Sequence, residues 1–262
     1  MIRVVVSGTG NMGKVVLSAV EAHDELEVAG VIGPRGEQGQ HVAASGAVYP
    51  LHADPAALLA EVRPDVVVDF TNAQFTLALV GAALAAGVRP VIGTSGMSAE
   101  TLERLRRGCE KQRLGGVVAP NFAIGAVVLM HLATIAARHF DGAEIIELHH
   151  DRKVDAPSGT ALETARMMRA ARGSDFAHPE PEITSIEGTR GGAEGGVGIH
   201  SVRLPGLVAH QEVILGGQAQ TLSLRHDSSG RESFVPGVLL AIDEVMRRDE
   251  LVVGLDTLIG LG

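Results

Sequence analysis

The feature that most constrains this chain stands at its start. An apolar, β-branched run over residues 2–7 leads directly into Gly8-Thr9-Gly10-Asn11-Met12-Gly13 and then into a helical pattern. Strand, glycine-rich turn and helix in that order are the opening of a dinucleotide-binding fold. The glycines permit a tight turn and let the main chain approach a pyrophosphate, and the helix N-terminus adds free amide donors and a favourable dipole. The alternative for these six residues is a strand-to-helix turn that holds no ligand.

The rest of the first half supports the former. Candidate strands at 2–7, 26–32, 65–70, 90–92 and 117–119 alternate with helical stretches near 13–22, 73–86 and 98–112. Nearly continuous apolar strands divided by helices predict a parallel sheet covered on both faces. Ser98 is the expected N-cap of the third helix. A helical pattern over 123–139 then leads to a strand at 144–149, a loop, and a helix at 159–171. Strands at 199–204, 207–215 and 221–226, separated by Gly and Pro, predict an antiparallel or mixed sheet. The glycine-rich stretch 188–198 reads as a mobile loop. A final helix over 234–248 tolerates Pro236 only in its first turn. The expected fold class is α/β: a Rossmann-type dinucleotide-binding domain at 1–122, with 235–262 packing back on it, and an α+β substrate domain at 123–234.

Composition narrows the partners. A net charge of −9 argues against nucleic acid or an anionic membrane surface, though a local basic pocket can still take a small anion. With aromatics at 3% and no Trp, the core must be aliphatic. The single Cys109 excludes an internal disulfide framework, reads as a plain buried thiol, and fits a reducing cytoplasm. No signal-peptide pattern opens the chain and no apolar stretch has membrane-spanning length, so a soluble protein is expected.

Further positions carry chemistry. Strand two is followed by Gly33-Pro34-Arg35, where an NAD-selective fold places an acid for the ribose hydroxyls. No acid stands there, and Glu37 comes late in a flexible-looking loop. Arg35 therefore offers a contact to a 2′-phosphate and tilts the cofactor from NADH toward NADPH; the competing reading is a solvated loop arginine. Gly93-Thr94-Ser95-Gly96 and Ala119-Pro120-Asn121-Phe122 end two further strands, where ligands of open α/β sheets lie. Asn121 is placed to bond a carboxamide and Phe122 to shield a ring, although each segment by spacing alone is a turn.

The most informative run is His149-His150-Asp151-Arg152-Lys153-Val154-Asp155-Ala156-Pro157-Ser158-Gly159-Thr160, between a strand and a helix. Ser158, Gly159 and Thr160 are expected to expose free N–H groups, a ready carboxylate site. Thr160 with Glu163 also reads as a capping box, a purely structural role. Lys153 offers a transferable proton, and the two histidines titrate near neutrality. His149 and His150 face opposite sides of a strand and no cysteine cluster accompanies them, so no metal site is expected.

At these residues the sequence resembles the 4-hydroxy-tetrahydrodipicolinate reductase family, over essentially its whole length. The run from His149 to Ala161 follows the family's most specific motif. Asp69-Phe70-Thr71, Gly93-Thr94-Ser95-Gly96, Ala119-Pro120-Asn121-Phe122-Ala123 and the stretch 199–212 match in the expected order. The resemblance implies hydride transfer from a nicotinamide to a cyclic, conjugated imine dicarboxylate, followed by protonation of the electron-rich ring carbon, in lysine and diaminopimelate biosynthesis. It implies Lys153 as proton donor and His149 as proton donor or acceptor. His150, Ser158, Gly159 and Thr160 fall at substrate-contacting positions, and Arg231 is expected to help order the substrate lobe. Gly8, Thr9, Gly10, Asn11, Met12, Gly13, Gly93, Thr94, Ser95, Ala119, Pro120, Asn121 and Phe122 fall in cofactor-contacting segments. A homotetramer built by pairing the sheets of the second lobes is also implied. The chain departs from the pattern in a glycine loop one residue shorter, in Asp151-Arg152 where a more basic pair is usual, and in the acid missing after strand two. Two rival readings remain: another small Rossmann-type dehydrogenase, which leaves the 149–160 run unexplained, and a non-enzymatic nicotinamide sensor, for which no helix-turn-helix or basic stretch is found.

Overall fold

In the computed structural model, which describes residues 1–261, the elements follow in chain order. They are β1 (Ile2–Ser7), α1 (Asn11–Glu21), β2 (Leu26–Ile32), β3 (Gly39–Val42), β4 (Val48–His52), α2 (Pro55–Val62), β5 (Val66–Asp69), α3 (Ala73–Ala86), β6 (Arg89–Ile92), α4 (Ala99–Gln112), β7 (Gly116–Val118) and α5 (Ile124–Ala136). Then come β8 (Gly142–His149), α6 (Gly159–Arg172), β9 (Gly192–Glu194), β10 (Val197–Arg203), β11 (Ala209–Gly217), β12 (Gln220–Ser228), α7 (Val235–Arg247), β13 (Leu251–Val253) and α8 (Leu255–Leu258). Two compact units result: Met1–Ile124 with Phe234–Gly262, and Gly125–Ser233.

The first unit is built on an eight-stranded sheet in the order β13-β7-β6-β5-β1-β2-β4-β3. All pairs are parallel except the β3–β4 hairpin. Its central strands are wholly apolar because both faces are covered; Val4, Val5, Val66, Val67, Val68 and Val91 are fully buried. On one face Leu58, Leu59, Leu79, Val80, Ala83 and Leu105 of α2, α3 and α4 close the core. Cys109 belongs to this cluster, and burial pushes its thiol up to about 11, the behaviour of an inert core residue. Ser98 caps α4, its Oγ accepting from Thr101 N at 3.1 Å, as expected. The β3–β4 hairpin, α2 and β13 were not anticipated: β3 has almost no apolar content, and β4 carries Pro50.

The second unit carries a five-stranded mixed sheet, β12-β11-β8-β10-β9, in which only β8 and β10 run parallel. Period-two alternation sends Ala143, Ile145, Glu147 and His149 of β8 to one face. There Ile145, Val213 and Leu215 pack with Ala161, Ala165 and Met168 of α6 and Leu129 and Ala133 of α5. The opposite face shows Ile146, Leu148, Val202 and Ile214, all partly exposed. The stretch 188–198, expected to be mobile, is in part an edge hairpin: β9 pairs with β10 from Val197↔Glu194 to Ile199↔Gly192. Gly195 and Gly196 turn it with φ of +58° and +78°, the paired left-handed conformation of a tight hairpin.

Candidate active site

In the first unit the predicted cofactor segments gather at the carboxyl edge of the parallel sheet, where strand order reverses between β1 and β5. Gly8 N donates to Ile32 O at 2.9 Å, Phe70 N to Ser7 O at 3.1 Å, Gly93 N to Asp69 O at 2.8 Å and Ala119 N to Ile92 O at 3.0 Å. The Gly8-to-Gly13 turn is packed from within, for a Cβ on Gly13 would lie 1.8 Å from Gly8 O. At Gly10 the space is open: a Cβ there meets nothing within 4 Å. Gly10 also serves as the N-cap of α1 without any side-chain hydrogen bond, so the first-turn N–H groups of Asn11 and Met12 face outward uncapped. That open, donor-rich cradle fits a pyrophosphate.

Beneath it sits Asp69, fully buried. Its carboxylate accepts from the hydroxyls of Thr71 at 2.8 Å, Thr76 at 2.6 Å and Thr94 at 2.8 Å. Burial pushes its carboxyl above the usual range against the opposing pull of these hydroxyls and that of Ser7. Thr94 Oγ1 also accepts from Thr71 N at 2.9 Å, so one carboxylate ties together the ends of β5 and β6.

Three expectations need correction here. Phe122 is fully buried and stacks edge-on against Phe70 at 5.6 Å, so its ring supports the loop from below instead of offering a face to a ligand. The Thr94 hydroxyl is committed to Asp69, leaving Ser95 exposed beside it. A carboxylate does stand near the end of β2, because Glu37 folds back on the glycine turn. Glu37 Oε1 accepts from Thr9 Oγ1 at 2.8 Å and Oε2 from Arg35 N at 2.7 Å. Those bonds, with the Arg35 charge, outweigh desolvation and hold the Glu37 carboxyl below its usual range. The guanidinium of Arg35 is exposed. Asn121 Oδ1 caps its own loop by accepting from Ala123 N at 2.9 Å.

In the second unit the 149–160 run connects β8 to α6 around a buried carboxylate, Glu147. It is fully buried and charge-compensated by Arg203 of β10 in a two-pronged pair: Nη1 to Oε2 at 2.9 Å and Nη2 to Oε1 at 2.7 Å. His149 Nδ1 meets Oε2 at 2.5 Å, and Ser158 N donates to Oε1 at 3.2 Å. Burial alone would raise this carboxyl, but bonds from His149, Arg203 and Ser201 overcome it and bring it down to about 2. Arg203 Nη2 also donates to Asp155 O at 2.8 Å, pinning the loop whose Lys153 Nζ donates to Asp155 Oδ1 at 2.7 Å. The Ala156–Pro157 peptide within that loop is cis.

Ser158 is the N-cap of α6, its Oγ accepting from Ala161 N at 3.2 Å, and it is buried. Its N–H is given to Glu147, so of its polar groups only the buried hydroxyl keeps a proton to donate. The capping box of Thr160 and Glu163 does not form either, because the cap falls two residues earlier and Thr160 already lies inside the helix. Among the described residues the first-turn N–H groups of Gly159 and Thr160 have no partner, and a Cβ on Gly159 would meet nothing within 4 Å. His150 is partly exposed, with a buried Nδ1 that lacks a partner among the described residues. Arg231 lies in a short 3-10 turn, Arg231–Phe234, with no side-chain bond among the described residues.

The two halves of the chain match two family models, described as dihydrodipicolinate reductase, N-terminus, over residues 2–122 and dihydrodipicolinate reductase, C-terminus, over 125–259. The chain belongs to the dihydrodipicolinate reductase family. Members of this family similar to it include the 4-hydroxy-tetrahydrodipicolinate reductases of Moorella thermoacetica and Geobacillus kaustophilus. These are 47% and 46% identical, over 98% and 97% of this chain and 98% of each relative. A solved dihydrodipicolinate reductase from Paenisporosarcina sp. TG-14, with dipicolinate bound, superposes with a TM-score of 0.86 at 41% identity, covering 98% of this chain and 99% of that one. An amine dehydrogenase from Mycobacterium smegmatis, at 16% identity and a TM-score of 0.69, shares the fold.

Sequence reasoning missed Glu147, Arg203 and the inward turn of Glu37. The first carried a signal, since an acid two residues before His149 on a strand must share its face. The other two carried none, because their partners lie 56 and 28 residues away.

Proposed function

We propose that this chain reduces 4-hydroxy-tetrahydrodipicolinate, after loss of water, to tetrahydrodipicolinate with NADH or NADPH, in lysine and diaminopimelate biosynthesis. The observation that carries the reading is the junction of β8 and α6. A helix N-terminus with two free N–H groups stands there beside a histidine and a lysine, in a family whose relatives bear this activity in their names. A dicarboxylate related to the substrate is bound by the Paenisporosarcina protein, which supports a dicarboxylate here.

The residues divide the work as follows. Gly159 and Thr160 N–H groups, aided by the helix dipole, hold one carboxylate, with His150 beside it. In the first unit the cradle at Gly10, Asn11 and Met12 takes the pyrophosphate, with Ser95, Ala119, Pro120 and Asn121 along the same sheet edge. The reduced nicotinamide, when bound, supplies a hydride to the far carbon of the conjugated C=C–C=N unit. The C=C electron pair then shifts toward the C=N carbon and the C=N pair moves onto nitrogen, giving an enamide anion, and Lys153 protonates the carbon next to the C=N carbon, which restores the neutral imine. His149 exchanges protons at the same site. Glu37 accepts from the adenosine ribose hydroxyls and Arg35 meets a 2′-phosphate, so both nicotinamides are used, the Glu37 carboxylate favouring NADH.

The protein works as a homotetramer joined through the open faces of its second-unit sheets, and as a cytoplasmic enzyme. No helix among the described residues is long and apolar enough to cross a membrane. The test follows nicotinamide absorbance with freshly generated substrate. Oxidation that drops by at least about 100-fold in Lys153→Ala, with cofactor binding retained, supports the reductase. Cofactor binding without any oxidation by the unaltered chain refutes it.

A further inference from the structure

The Glu147 carboxylate has no place in the division of labour above, yet it is fully buried and accepts from His149, Ser158 and both terminal nitrogens of Arg203. Held at a pKa of about 2, it is ionised at any working pH and can only accept. The hydrogen on the 2.5 Å contact therefore belongs to His149 Nδ1. The imidazole is 15% exposed, and Nε2 has no protein partner among the described residues. The carboxylate itself cannot turn, because Arg203 grips both oxygens and Ser158 N fixes Oε1. Arg203 also neutralises it, so a buried negative charge next to the α6 N-terminus does not repel an anionic substrate.

We propose that Glu147 is a positioning residue for the reaction: it locks His149 in the Nδ1–H tautomer, so that Nε2 alone exchanges protons with substrate or solvent, and Arg203 holds it in that role. This rests on the reductase reading and deepens it. In each turnover the Nδ1 proton stays in place. Nε2 takes a proton from solvent as imidazolium and passes it on, through solvent, to the neutral amine that Lys153 becomes on protonating the ring carbon, and Glu147 stays ionised throughout.

Glu147→Gln tests it sharply. The amide oxygen can replace Oε1 toward Arg203 Nη2 and Ser158 N, while the NH2 group takes the Oε2 place, where Arg203 Nη1 loses that acceptor. The NH2 group then donates to His149 Nδ1 and forces the proton onto Nε2. Long-range proton–nitrogen correlation spectra of the full-length protein, with the His149 signals assigned through His149→Asn, should show an Nδ1–H ring in the unaltered chain. They should show an Nε2–H ring in Glu147→Gln. Turnover should fall by about 100-fold, with KM for the substrate and the Kd for NADPH changed less than about threefold. Glu147→Asp, which keeps the charge, should retain the Nδ1–H signature and recover at least about tenfold of the loss.

An Nε2–H ring in the unaltered protein overturns the proposal, as does undiminished turnover in Glu147→Gln. If Glu147→Gln fails to fold, a Glu147→Asp protein that folds but is as inactive as Lys153→Ala, with its tautomer intact, also overturns it. A chain that never oxidises NADPH with substrate refutes the reductase reading instead, and the tautomer spectra still report whether Glu147 governs His149.

Discussion

Single residues set the polarity of both units. Glu37 lies 28 positions beyond Thr9, and its bond to that hydroxyl places a carboxylate on the glycine turn where a ribose would meet it. A fixed negative charge there repels a 2′-phosphate. Glu37→Gln should therefore raise the NADPH-over-NADH ratio of kcat/KM by about 10-fold, corresponding to about 1.4 kcal/mol. Steady-state kinetics with both cofactors measure it, and an unchanged ratio assigns the discrimination elsewhere. Glu147 makes a different prediction. Its folded pKa of about 2 lies below the ordinary 4.5, so the folded state binds this proton less readily than the unfolded chain does. The resulting stabilisation is fully present above pH 4.5 and is lost as pH falls toward 2, amounting to about 3 kcal/mol. Urea unfolding of the second unit at pH 7 and pH 3 should show most of that loss. In Glu147→Gln the stability at pH 7 should be lower and this part of the pH dependence should disappear.

At the scale of elements, the two helix N-termini are prepared in opposite ways. The start of α1 is left uncapped by Gly10, whereas that of α6 has one N–H taken by the Ser158 hydroxyl and two left free. The glycines of the first turn can be told apart. Gly13→Ala drives a Cβ into Gly8 O and should open the turn, lowering both stability and cofactor affinity. Gly10→Ala meets no protein atom, has an ordinary φ of −78°, and should cost at most about 1 kcal/mol. It fills the cradle proposed for the pyrophosphate, however, and should weaken NADPH binding by at least about 10-fold; fluorescence titration and thermal melts separate the two effects. If Gly10→Ala binds normally, the phosphates lie elsewhere. These elements also show what a sequence reveals. The strands β1 and β2 and the helix α3 were legible to the residue because continuous β-branched runs and a capped apolar stretch leave few alternatives. The 149–160 run was legible as a local stretch between strand and helix, but its cap was misplaced because Ser158 and Thr160 are equally good capping types two residues apart. The hairpin β3–β4 was not legible, since its pairing is set by neighbouring β2 more than by its own composition.

On the scale of the whole molecule, the second-unit sheet poses the question of what covers its open face. One face carries the core with α5 and α6, and the other presents Ile146, Leu148, Val202 and Ile214 among Glu144, His200 and Glu212 on the central strands β8, β10 and β11. Such a sheet can leave one face to water; here the four aliphatic side chains alternate with Glu144, His200 and Glu212, a mixed apolar and charged surface of the kind that a subunit contact covers. A second copy of the same sheet is self-complementary by symmetry, which suits the tetramer proposed above. Ile146→Asp puts a charge into the middle of that row without touching the α5–α6 side, where Ile145 and Val213 hold the fold. It should leave far-UV dichroism unchanged while converting tetramers into smaller species in sedimentation velocity, because a carboxylate brought beside Glu212 must lose its water next to a like charge when the sheets meet. Cofactor binding by the first unit should survive, its sheet being a separate structure with its own core. A tetramer that persists in Ile146→Asp would place the subunit contacts outside this sheet.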